Sequence, residues 1–270
     1  MRLERRIRAE AASRSQGNFQ FTREEAAIVD RIDAGHPWPE EPVAMLPVAQ
    51  LYVRDIPLLD PPGQADLLQV LWCPFDHPPE PKPQTALFWR SAIAITDILT
   101  VPPEPAAVQF EDYVPEPCLL SPEQITEYPN ALELSEDVQE LLGDRSNWRS
   151  AGAIPDNSYV LAPEEFYQNE LSVSPGWKVG GWTRWGLTDP DPQFCPACDG
   201  QMDPLLTIAS AEWDAATRSW VPYEDQAHVT SYVTDPDPAN PAMVEVGGGY
   251  DLQLYTCPES PDHAHTGLIQ

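Results

Sequence analysis

Short apolar runs punctuated by Pro and Gly dominate this chain, and one run occurs twice. Leu68-Gln69-Val70-Leu71-Trp72-Cys73-Pro74 is echoed 184 residues later by Leu252-Gln253-Leu254-Tyr255-Thr256-Cys257-Pro258. Each copy is followed by an Asp-His pair, Asp76-His77 and Asp262-His263. Leu, Val, Trp and Tyr suit a pleated, half-buried surface, so both copies predict strands. Proline cannot donate to a ladder, so both strands are expected to stop at Cys-Pro. The Gln inside each run is expected to be a structural pin, hydrogen-bonded to backbone. The repeat is too long for a solenoid and suggests two similar halves of one pseudo-symmetric body.

Other runs predict strands at Met45 to Leu51, Leu87 to Arg90, Ala92 to Ile98 and Leu205 to Ala211. Helical spacing is rarer. Thr22-Arg23-Glu24-Glu25 reads as a capping box ahead of an apolar face made by Ala26, Ile28, Val29 and Ile32, with Gly35 as the stop. Ser135 is expected to cap a short helix carrying Val138, Leu141 and Leu142. Ala162 to Leu171 predicts another, with Pro163 in its first turn. Residues 1–20 are expected to be a loose helix or a disordered arm, with Leu3 and Ile7 four apart. His36-Pro37-Trp38-Pro39 reads as an extended lead-in, and Pro102 to Pro129 as packed irregular structure. Gly247-Gly248-Gly249 predicts a turn into the second copy, and Gly180-Gly181 a bend covered by Trp182 and Trp185.

These elements predict an α+β fold of largely antiparallel sheets with short helices, internally duplicated. The expected divisions are an arm over 1–35, a first half over 36–150 and a second half over 151–270, with the boundary within Asp144 to Asp156.

Charge changes the picture. The net charge is −28, and seven of the fifteen Lys+Arg residues fall within the first 31 positions. Beyond Arg31 the chain carries 38 acids against 8 bases. Such a body repels phosphate backbones and attracts basic proteins, so the expected partner is a basic protein and not nucleic acid. Plain solubility is the competing explanation of the charge. The sequence has no run of 18 apolar residues, so no membrane partner is expected. The Arg-rich start lacks the apolar core of a secretory signal. Together with the odd count of five Cys, this points to a reducing cytoplasm.

Cys195-Pro196-Ala197-Cys198 is a knuckle whose two thiolates can chelate one ion, zinc being the usual occupant. Cys257, after the second strand copy, and His263 or His265, a short loop beyond, are the candidate remaining ligands. The preferred set is Cys195, Cys198, Cys257 and His263, a closed and therefore structural zinc site. The rival is a redox pair, which requires the motif to open a helix. Cys73 and His77 are expected to bind nothing, and Cys118 to be a small buried residue. His36 and His228 are assigned ordinary surface or core roles.

The combination of Val-Gly-Gly-Trp at 179–182, Cys-Pro-x-Cys at 195–198, the run Leu205 to Ile208 and Leu-Gln-x-x-x-Cys-Pro at 252–258 resembles bacterial YwqG-like proteins. It resembles the eukaryotic programmed-cell-death-protein-2-like group more distantly. Gln50-Leu51, Asp55-Ile56-Pro57 and the first phrase through Asp76-His77 extend the likeness over about residues 36–265. The resemblance implies an internally duplicated, antiparallel α+β fold with no established catalytic residues. It also implies contexts of toxin immunity or of chaperoning a ribosomal protein.

Neither a nucleophile elbow, a zincin motif, a P-loop nor a dinucleotide fingerprint is present. The expectation is a non-enzymatic acidic binding protein, either an immunity protein or a protein-specific chaperone. The alternative is an enzyme using acidic residues in a cleft between the halves. Glu164-Glu165 and Asp189/Asp191 are the candidate pairs for such an enzyme, and solvated surface is the plainer explanation of both.

Overall fold

The computed structural model describes residues 3–14, 21–35, 37–101, 105–150, 163–227 and 237–270. His36, His228 and residues 151–162 lie outside the described residues. Two compact units divide the chain, one of Met1–Ser121 with Pro222–Tyr250 and one of Pro122–Val221 with Asp251–Gln270. A single cut near residue 150, as the sequence suggested, does not describe this division. Backbone bonds from Glu116 to Ala242 (2.8 Å) and from Glu245 to Asp112 (3.3 Å) hold residues 222–250 in the first unit. Tyr128 donating to the Ser172 carbonyl (3.4 Å) helps hold 122–150 in the second.

In the first unit, α1 (Leu3–Arg14) buries Ile7 and Ala11, four residues apart. Arg14 reaches Glu25 at 2.7 Å. The helix α2 (Arg23–Asp33) opens on the expected capping box: Thr22 Oγ1 accepts from the Glu25 amide, and Glu25 accepts from the Thr22 amide. Gly35 ends it at φ +66°, where a Cβ would strike the Phe110 ring and the Gln109 carbonyl. Strands β1 (Leu46–Tyr52), β2 (Leu67–His77) and β3 (Lys82–Arg90) form an antiparallel sheet in that order.

The first copy of the repeated phrase does not stop at Cys73-Pro74. β2 runs on to His77 because the register shifts between Trp72 and Asp76, so Pro74 sits where no ladder bond is needed. Trp38, in the lead-in, packs on Phe75 and donates to the Asp76 carbonyl. Ala92 to Ile98 is not a strand. A 3-10 turn at Ala92–Ala94 is followed by Ile95 in an extended conformation and by chain that joins no sheet.

In the second unit, α3 (Glu136–Gly143) starts at Ser135, whose side chain makes no capping bond. It leads to α4 (Arg145–Ser150) and α5 (Pro163–Phe166), the last continued by a π turn through Leu171. Trp148 and Tyr167 form a small core there with Phe166 and Leu142 around them. Strands β4 (Lys178–Val179), β5 (Asp203–Ile208), β6 (Leu252–Thr256) and β7 (Thr266–Ile269) make a four-stranded sheet in that order, antiparallel at every pairing. The fold is α+β, as its short strands and capped helices predict.

Both copies of the phrase are inner strands of antiparallel sheets. Each Gln bonds the residue directly opposite on the preceding strand. Gln69 donates to Gln50 (3.0 Å), and Gln253 accepts from Thr207 (2.6 Å). The pinning is therefore chiefly side chain to side chain and not to backbone. Trp185 is buried as expected, whereas Trp182 is 42% exposed. Cys118 is exposed, contrary to the expectation of burial.

Candidate metal centre

The end of the second sheet assembles the four residues proposed as ligands. Register pairs Asp203 at the start of β5 with Thr256 at the end of β6. Cys257, one residue past β6, thus faces the segment entering β5, which is the knuckle. The knuckle is a tight loop closed by a bridge between Phe194 and Gln201 and by the Cys195 amide donating to the Gly200 carbonyl (2.8 Å). No helix follows it, which removes the geometry a redox pair requires. Asp199, where many knuckles carry Gly, adopts φ +57° while its amide donates to the Cys195 carbonyl. Asp tolerates this left-handed conformation better than most residues, at some cost. Asp199→Gly is expected to stabilise the metal-saturated protein by about 0.5–1 kcal/mol, read as a higher urea midpoint at unchanged slope.

Cys195 Sγ lies 3.4 Å from His263 Nδ1, Cys257 Sγ lies 3.2 Å from the same nitrogen, and Cys198 Sγ lies 3.6 Å from Cys257 Sγ. All four donor atoms fall within 4.8 Å of one another. Tetrahedral zinc with sulfur at about 2.3 Å and nitrogen at about 2.0 Å needs S···S edges of about 3.8 Å and S···N edges of about 3.5 Å. The observed edges are close to those, and the donors can hold a metal such as zinc. A disulfide is not what brings the sulfurs together, since all the cysteines are free. Cys195, Met202, Tyr255 and Cys257 form the packed floor, and Cys198 faces solvent.

Burial raises the Cys195 thiol, but the Ala197 and Cys198 amides and the neighbouring thiols outweigh it and bring it down to about 7. The Gly200 amide lowers Cys198, yet the Cys257 and Cys195 sulfurs push it up to about 11. One thiolate is thus ready near neutrality, and a bound cation would draw out the others.

Two further clusters in the second unit carried little sequence signal. Glu127 and Lys178 are an ion pair at 2.7 Å whose side chains are only 7% and 10% exposed. Glu127 also accepts from the Ser174 amide and hydroxyl and from the Trp182 amide. Gly181 of the Gly180-Gly181 bend leaves room for this carboxylate. Gly181 sits at φ +75°, and a Cβ there would collide with Glu127 Oε2.

Glu212 and Asp251 are half-buried acids. Burial, with the charge of Asp251, lifts Glu212 to about 7 against an amide bond from Trp177. Burial lifts Asp251 to about 6, although Arg184 and Lys178 pull it down. Raised carboxylate values mean that the folded state holds these protons more tightly than the unfolded one. Their stabilisation is complete below about pH 4 and is lost as pH rises through 6 and 7. Glu212→Gln is expected to raise stability at pH 8 and to leave it unchanged at pH 4.5. Comparing variant with wild type at each pH by urea unfolding cancels the metal's own pH dependence.

The pairs Glu164-Glu165 and Asp189/Asp191 are solvent-exposed. In the first unit, Cys73 and His77 lie on β2, where burial raises the Cys73 thiol and His77 packs edge-on against Trp38 at 4.6 Å. Beside His77 the β2–β3 turn lines an open depression of about 200 Å³ with Pro78, Pro79 and Lys82 in its walls. This is smaller than the clefts that usually take drug-sized ligands. Among the described residues no helix is long and apolar enough to cross a membrane. No family model, curated protein or solved structure matches the chain.

Proposed function

We propose that this chain is a non-enzymatic binding protein for a basic protein partner, with a structural zinc ion clamping the end of its second sheet. The observation that carries the binding reading is the charge, −28 overall and more negative still beyond Arg31. Such a field speeds encounter with a basic surface and repels nucleic acid and anionic lipid. Cys195, Cys198, Cys257 and His263 would hold the zinc. With four protein ligands no position is left for substrate, which suits a structural ion. The matching Gln pins of β2 and β6 support the reading that the two sheets are copies of one unit, as in the YwqG-like proteins that the sequence resembles. Immunity protein and protein-specific chaperone are the roles that the resemblance suggests for such an acidic protein. The test is affinity capture with the full chain as bait in a cytoplasmic extract. A basic protein retained at low salt and released by about 0.5 M salt is expected, and retention indifferent to salt would overturn the reading.

Glu212 and Asp251 favour a second reading, an enzyme with an acid and a base near neutrality. That reading requires both carboxylates to be reachable from solvent. Carbodiimide labelling at pH 6 separates the two. Rapid modification of Glu212 in the folded protein supports the enzyme, and protection until unfolding supports a structural role.

A further inference from the structure

The segment that reads as a strand in the sequence but joins no sheet carries the next step. Ile93, Ile98, Leu99 and Val101 are 93%, 76%, 75% and 70% exposed, so four large aliphatic side chains within nine residues face water. The 3-10 turn that starts the segment is tied down by the Ala92 amide donating to Asp66 Oδ1 (2.6 Å) and by the Ala94 and Ile95 amides bonding back to Ser91 and Ala92. From Thr96 to Leu99 the chain forms no helix, turn or strand, it bends at Thr100 and Val101, every residue is exposed, and the amides have no backbone partner among the described residues. An exposed segment outside any sheet, rich in strand-forming residues such as Thr96, Ile98, Thr100 and Val101 and with free amides, is suited to main-chain pairing with another strand. Left uncovered, it would promote aggregation.

Charge selects the occupant. No Lys, Arg or His occurs between Arg90 and Arg145, a stretch with twelve Asp and Glu, including Asp97 within the segment itself. A second copy of this chain brings another −28 to the encounter and is repelled. A basic strand is attracted. We infer that residues 96–101 are a strand-addition site for an extended, basic segment of a partner protein whose apolar side chains alternate with Lys or Arg. The inference rests on the basic-partner reading above and places its docking site.

The probes are two short fluorescent peptides of equal charge, one alternating Lys with Val and the other Lys with Gly. With the full chain at about 0.15 M salt, the Lys/Val peptide is expected to bind about tenfold more tightly than the Lys/Gly peptide. The double variant Ile98→Ser/Leu99→Ser, whose side chains are exposed, is expected to keep its thermal midpoint and lose that preference. Hydrogen exchange at the amides of 96–101 should slow only with the Lys/Val peptide. Equal, salt-sensitive binding of both peptides overturns the inference and leaves the basic-partner reading standing. Binding of neither overturns both. A doubled mass in sedimentation that the double variant abolishes assigns the segment to a second copy and overturns the inference too.

Discussion

Cys257→Ser is expected to release the metal and take about 4 kcal/mol of folding stability with it. Cys257 is buried, and its sulfur lies within 3.6 Å of both the Cys198 sulfur and the His263 nitrogen. A serine oxygen there is a poorer ligand for zinc, and three remaining donors leave an open site. Because the unfolded chain has no preformed site, binding free energy appears as folding free energy. About 4 kcal/mol corresponds to free metal standing about 1,000-fold above Kd. Elemental analysis should give one zinc per wild-type chain and almost none in the variant. A strong chelator should lower wild-type stability to the variant's level and do nothing further to the variant. His263→Ala should behave like Cys257→Ser, whereas His265→Ala should keep its zinc. A Cys257→Ser protein that retains both metal and stability would show that the sulfurs converge only as core residues.

The centre was legible in the sequence because its logic is local. A Cys-x-x-Cys loop declares its own geometry, and a Cys directly after a strand has a fixed place relative to the neighbouring strand once register is known. The capping box at Thr22 was legible for the same reason. What escaped depends on distant partners. Ala92 to Ile98 has the side chains of a strand, but a strand exists only where a neighbour offers its backbone, and composition does not say whether one does. Pro74 looked like a stop because the register shift that accommodates it is a property of the pairing, not of the residue. The division into units eluded any cut by composition, since it is made by bonds such as Glu116 to Ala242. Glu127 gave no sign of burial within an acidic, proline-rich stretch. The one trace was at its partner's end, where one of only two lysines stands beside a Gly-Gly pair.

That buried pair yields the second large effect. Glu127→Ala is expected to destabilise the folded protein by about 3–5 kcal/mol, because it leaves the Lys178 ammonium buried without its counter-charge. It also strips the acceptor from the amides of Ser174 and Trp182. Lys178 retains the Trp182 carbonyl at 2.6 Å, which does not neutralise a charge. Burial already draws the Lys178 pKa down, and loss of Glu127 removes the main influence holding it up, so the variant should recover stability as pH rises and the amine sheds its proton. Lys178→Met in the Glu127→Ala background should restore part of the loss, and the double-mutant cycle should return a coupling well above the value of about 0.2–1 kcal/mol typical of exposed pairs. Gly181→Ala provides a check through the backbone, since its new Cβ drives into the Glu127 carboxylate. It should be strongly destabilising in wild type and markedly milder once Glu127 is Ala. Additive losses from Gly181→Ala and Glu127→Ala would mean that the glycine bend and the carboxylate are independent, and that the bend serves some other purpose.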